Sequence, residues 1–142
     1  MFCFAFLLVL FTGSHCIHNG FENMDLIRHH PSKVISLLIG TCRENEQTCP
    51  MSIESTAHFL SNINELILNF DEQYDHNLIT MIERLSLQLM QCKDVQCVMK
   101  FEKHNRIGFD TAISKAADIL SKVPQIERQA WERTILQPPP YF

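Results

Sequence analysis

The sequence predicts an all-α protein: a small disulfide-stapled helical bundle of about four main helices plus a short C-terminal helix. Three observations carry that expectation. Glycine is scarce, four among 142 residues, so few positions suit the tight turns that join strands. Apolar residues recur at intervals of three and four over most of the chain, with no strand-like alternation of useful length and no internal repeat. Four of the six cysteines fall at junctions between the helical segments. The length fits one domain, and 46% hydrophobic with 20% charged residues is a globular balance rather than a disordered one.

The chain opens on an apolar run. Residues 1–11 read MFCFAFLLVLF, too short to cross the roughly 30 Å hydrocarbon core as a helix. Small and polar residues follow, and the pattern fits a secretory signal peptide over residues 1–16, although no Lys or Arg precedes the apolar run. Cleavage after Cys16 leaves four cysteines, and cleavage after Ser14 leaves five. The even set suits an oxidising compartment, which favours the first site and a secreted, extracellular protein. No Asn-x-Ser/Thr acceptor occurs, so N-glycosylation is not expected. The mature chain then reads as one bundle domain over 17–137 and an extended Pro-rich tail over 138–142.

Pro31 separates a short helix ending near His29 from the first main helix, which starts at Ser32. Val34, Ile35, Leu38 and Ile39 form its stripe, and Gly40 is placed to stop it. The second main helix begins with Thr48 or Cys49 as N-cap, Pro50 in the first turn, and Glu54 as negative charge near the positive end. Its stripe is Ile53, Ala57, Leu60, Ile63, Ile67 and Phe70, widened by Phe59 and Leu66. The polar stretch 71–77 follows, with Asp75 or Asn77 available to cap a third helix. That helix carries Leu78, Met81, Ile82, Leu85 and Leu89 on one face, and Ile79, Leu87 and Met90 elsewhere. With apolar residues all round, it is expected to be the most buried element. The fourth pattern runs from Val98 to Val123, weakened in the middle by Gly108 and the polar residues before it, and Pro124 ends it. Ile126, Ala130, Trp131 and Leu136 then make a short packing helix.

Cys42 and Cys49 flank the first loop of the bundle; Cys92 and Cys97 flank the third. If 71–77 is a true turn, antiparallel neighbours bring both loops to one end, and cross-links between them become available. If 51–91 is one helix, about 60 Å long, only the local pairs can form. Four cysteines allow three connectivities, and the sequence does not choose among them. Cross-links closing loops of about fifty residues are worth roughly 4 kcal/mol in the chain-entropy model, against roughly 2–3 for local pairs, so the expectation leans toward cross-linking. Spacings of C-x6-C and C-x4-C match neither zinc knuckles nor the C-x-x-C redox motif. No metal or cofactor is expected.

The formal net charge of −4 argues against a nucleic-acid partner, and no basic run is present to hold a membrane surface. His29 and His30 point to different faces; Glu54/His58 and Glu72/His76 are i,i+4 pairs, read as surface pairs worth a few tenths of a kcal/mol. H-E-x-x-H, G-x-S-x-G, Glu-x-x-His and phosphate-binding glycine loops are all missing, and no enzyme is expected. Residues 138–141 read PPPY, a pattern that WW domains bind; those domains are intracellular, so in a secreted chain it reads as an extended tail.

Binding remains. The first reading is a secreted, non-enzymatic helical bundle that engages an extracellular protein partner, with a layout like that of short-chain cytokines. The alternative is an extracellular carrier of an apolar small molecule or lipid, with Phe59, Ile63, Phe70, Met81, Leu85, Met90, Phe101 and Phe109 as pocket or core. A carrier should enclose an apolar cavity of a few hundred Å³. A protein ligand should have a filled core and an exposed apolar patch on one helical face.

Overall fold

The computed structural model describes residues 32–136. The expected leader, the short helix ending near His29 and the PPPY tail lie outside the described residues. Within them the protein is an all-α bundle of five helices: α1 (Ser32–Glu44), α2 (Cys49–Phe70), α3 (His76–Met90), α4 (Val95–Leu120) and α5 (Gln125–Leu136). Two disulfides staple it, Cys42–Cys49 and Cys92–Cys97.

α1 buries Val34, Ile35, Leu38 and Cys42, the face that the stripe predicted. It does not stop at Gly40 but runs on to Glu44. The glycine sits on the exposed side, with no atom within 4 Å of where a Cβ would stand. A solvated glycine weakens a helix without breaking it, and the extra turn carries Cys42 to the core.

The following loop is set by Asn45, whose Oδ1 accepts a hydrogen bond from the Gln47 N–H at 2.9 Å. Thr48 occupies the N-cap position of α2, but its hydroxyl donates back to the Asn45 carbonyl at 3.1 Å and makes no side-chain cap bond. Pro50 stands in the first turn, where its missing N–H costs nothing. Glu54 lies beyond that turn, so the first turn has no acidic residue.

α2, not α3, is the most buried element. Twelve of its residues are buried against four of α3. The reason is position: α2 packs against all four other helices, whereas α3 packs chiefly on α2 and α4. α3 therefore keeps one wet side, where Leu87 is 64% exposed and Met90 47%. Small residues allow α2 and α3 to approach closely. The Ser86 hydroxyl donates to the Ala57 carbonyl at 3.0 Å and lies 3.3 Å from Ser61 Oγ. Asn64 on α2 donates from Nδ2 to the Ile79 carbonyl at 3.2 Å.

The chain turns between α2 and α3, as the polar stretch predicted, and Asp75 caps α3 by accepting from the Asn77 N–H at 2.8 Å. Asp71 ties the turn to α4 through an ion pair with Lys115 at 2.7 Å. Glu72 lies in the turn and not on a helix, so Glu72 and His76 do not form a helical i,i+4 pair. His76 instead meets Tyr74 edge-on at 4.8 Å between ring centroids.

α4 starts at an Asp94 cap, whose carboxylate accepts from the Cys97 N–H at 3.0 Å. The weakness expected in its middle is a kink at Asn105 (φ −125°, ψ 16°). There the side-chain Nδ2 donates to the Phe101 carbonyl at 3.0 Å, the acceptor that an unbroken helix would give to the backbone N–H of residue 105. α5 packs through Trp131 as expected, but not through Ile126 or Ala130. Ile126 is 85% exposed and Ala130 is also exposed. Ile135 is buried and Trp131 half-buried, the indole edge-on to Phe70 at 5.7 Å. Asn62 of α2 fixes that docking by donating to the Thr134 carbonyl at 3.1 Å.

Candidate functional site

The residues expected to line a pocket divide into three groups. Phe59, Ile63, Leu85, Phe101 and Phe109 are all buried in one continuous core. Phe109 is packed between two rings, 6.5 Å from Phe59 and 6.5 Å from Phe101, the second contact edge-on. Phe70 and Met81 are half-buried at the core margin. Met90 belongs to neither core nor pocket, because it points to the wet side of α3. It lies off the stripe of Ile82, Leu85 and Leu89, so the helical period itself turns it outward.

The four cysteines pair locally, which corrects the expected cross-linking. The condition for cross-linking is met, since the chain does turn between α2 and α3. The end of α1 also lies beside the start of α4, with Arg43 Nη2 3.4 Å from Met99 Sδ. Geometry within each loop decides the pairing instead. The last turn of α1 and the first residue of α2 hold the Cα atoms of Cys42 and Cys49 4.4 Å apart; those of Cys92 and Cys97 are 5.4 Å apart. Each thiol already has a partner within bonding reach. Loop entropy ranks the stability of a bond once made and does not bring sulfurs together.

The two bonds differ in setting. Cys42 and Cys49 are 1% and 2% exposed. Cys92 and the half-exposed Cys97 line an open depression of about 310 Å³ together with Gln88 of α3 and Lys100, Phe101, His104 and Asn105 of α4. Of the eight expected pocket residues only Phe101 reaches it. The depression is open and its lining mixes polar and apolar groups, unlike the closed apolar cavity expected of a carrier. The sequence signal for it is faint: Lys100 and His104 are one turn apart, and His104 Nδ1 lies 2.9 Å from the Lys100 carbonyl.

Exposed apolar side chains mark a second region. Met51 in the first turn of α2 is 45% exposed, and Leu87 and Met90 lie in the last turns of α3. α2 and α3 are antiparallel neighbours, so the start of α2 and the end of α3 lie toward the same end of the hairpin, with Ser86 opposite Ala57.

Two carboxylates are electrostatically perturbed. The hydrogen-bonded Lys115 ammonium holds the Asp71 carboxyl below its ordinary range, against an opposing push from desolvation. Partial burial pushes the Asp110 carboxyl up, with Arg106 pulling the other way and Glu102 adding to the rise. Among the described residues no three His, Cys, Asp or Glu side chains are grouped to hold a metal ion, and no helix is long and apolar enough to cross a membrane. No family model, curated protein or solved structure matches the chain.

Proposed function

We propose that this is a secreted, non-enzymatic helical protein that acts by binding an extracellular protein partner through the disulfide end of the α2–α3 hairpin. The observation that carries the reading is the exposure of Leu87 (64%), Met90 (47%) and Met51 (45%) at that end. Exposed apolar groups on a rigid element favour a protein interface, and methionine adapts to irregular partners. Packing of Phe59, Ile63, Leu85 and Phe109 into the core favours this reading over the carrier. Two disulfides are in keeping with an oxidising compartment.

The test begins with the full chain expressed in secretory cells. Intact mass of the protein in the medium should correspond to a chain shortened by the leader. A photoreactive side chain at Leu87 should then give a covalent adduct with a cell-surface or extracellular protein. The same probe at Ile107, 82% exposed but on α4, should not. Retention of the leader inside cells would overturn the secreted reading. A lipid carried through native mass spectrometry at one per chain would favour the carrier instead.

A further inference from the structure

We propose that Cys92–Cys97 is a thiol–disulfide exchange site for small anionic thiols, whereas Cys42–Cys49 is a permanent staple. The two bonds join similar local loops, with sequence separations of 5 and 7, so loop length does not separate them. Access does. Both sulfurs of the inert pair belong to residues at most 2% exposed, between α1 and α2. The other pair forms part of the wall of the open 310 Å³ depression, large enough for a thiol of several heavy atoms.

The lining sets the class of thiol. Lys100 contributes a positive charge and makes no ion pair among the described residues. His104, Gln88 and Asn105 add polar groups, Phe101 adds an apolar surface, and no carboxylate lines the depression. Asp94 keeps its negative charge while it caps the Cys97 N–H, but it lies outside that lining. A thiol that also carries a carboxylate is therefore attracted, and a cationic thiol is repelled.

The chemistry is a two-step exchange. The external thiolate attacks Sγ of Cys97, the more exposed of the pair; the S–S bond breaks, and Cys92 leaves as a thiolate that takes a proton from solvent. A second thiolate attacks the external sulfur of the mixed disulfide and releases Cys97. Two external thiols are oxidised to one disulfide, and the protein bond gains two electrons. Opening it frees the α3–α4 turn, while the buried bond still joins α1 to α2.

The experiment uses the oxidised, folded protein and three thiols: mercaptoacetate, mercaptoethanol and cysteamine. Samples are quenched with acid at intervals, alkylated and peptide-mapped, with rates expressed per thiolate. Cys92–Cys97 should open about tenfold or more faster than Cys42–Cys49; once each thiol's rate is divided by its rate on a small neutral disulfide, which removes the effect of thiol basicity, mercaptoacetate should rank highest and cysteamine lowest. The double variant Lys100→Gln/His104→Gln should abolish that order and change the mercaptoethanol rate by less than about twofold. Circular dichroism checks that the variant is folded. Simultaneous opening of both bonds, or earlier opening of Cys42–Cys49, would overturn the site. A mercaptoacetate rate, divided in this way, no higher than that of mercaptoethanol would overturn the anionic class.

Discussion

Two glycine-to-alanine changes probe the fold at opposite extremes of crowding. At Gly40 an added Cβ meets nothing within 4 Å. Gly40→Ala then removes only the conformational penalty of a glycine inside α1, and the expected gain is about 0.5–1 kcal/mol. At Gly108 the same gain is opposed by α3. The Cβ would stand 3.1 Å from Met81 Sδ and 3.6 Å from Leu85 Cδ1, where carbon contacts prefer about 3.5–4.0 Å. Leu85 is 1% exposed and held, but Met81 is half-buried and its thioether can swing by a few tenths of an ångström. The crowding therefore belongs at the low end of the roughly 1–3 kcal/mol range for overpacking. Gly108→Ala should come out between neutral and about 1 kcal/mol destabilising, at least about 1 kcal/mol below Gly40→Ala. Urea unfolding with both disulfides intact reads the difference, as does a gap of about 4–8 °C in Tm. Combining Gly108→Ala with Met81→Ala should return about 0.5 kcal/mol or more as coupling. Equal gains at the two positions would refute the close α3–α4 approach. A loss at Gly40 would mean that α1 does not pass through that residue.

Phe109→Ala should cost about 3–5 kcal/mol, because the ring is 2% exposed between Phe59 and Phe101, while Met90→Ala should stay within about 0.5 kcal/mol; chemical denaturation separates them. Asp75→Ala and Asp94→Ala should each cost about 1 kcal/mol in the same assay, whereas Thr48→Ala, which removes no helix cap bond, should cost clearly less. Asp71 has a folded pKa below its ordinary 3.8, so the stability it contributes is present above that value and lost as pH falls through the folded value. Acid titration of unfolding should therefore show a shallower loss below about pH 4 in Asp71→Asn than in the wild type; equal slopes would show that the Lys115 pair adds nothing.

The helices themselves were written in the sequence. The stripe from Ile53 to Ile67, the turn after Phe70 with its Asp75 cap, and the weak middle of α4 all follow from period, capping chemistry and local polarity, which neighbouring residues decide among themselves. Tertiary structure decided what those helices face. α3 has apolar residues all round, yet only contact with its neighbours settles which of them are dry; with α2 at the centre, Leu87 and Met90 were left in water. α5 docks through Trp131 and Ile135 rather than Ile126, because Phe70 and Asn62 of α2 receive that face. The candidate exchange site needs α3 and α4 side by side, since Gln88 and Lys100 have no reason to meet until the chain has folded. The cysteine partners were fixed in the end by distance across each loop, a quantity that spacing bounds but only backbone geometry sets.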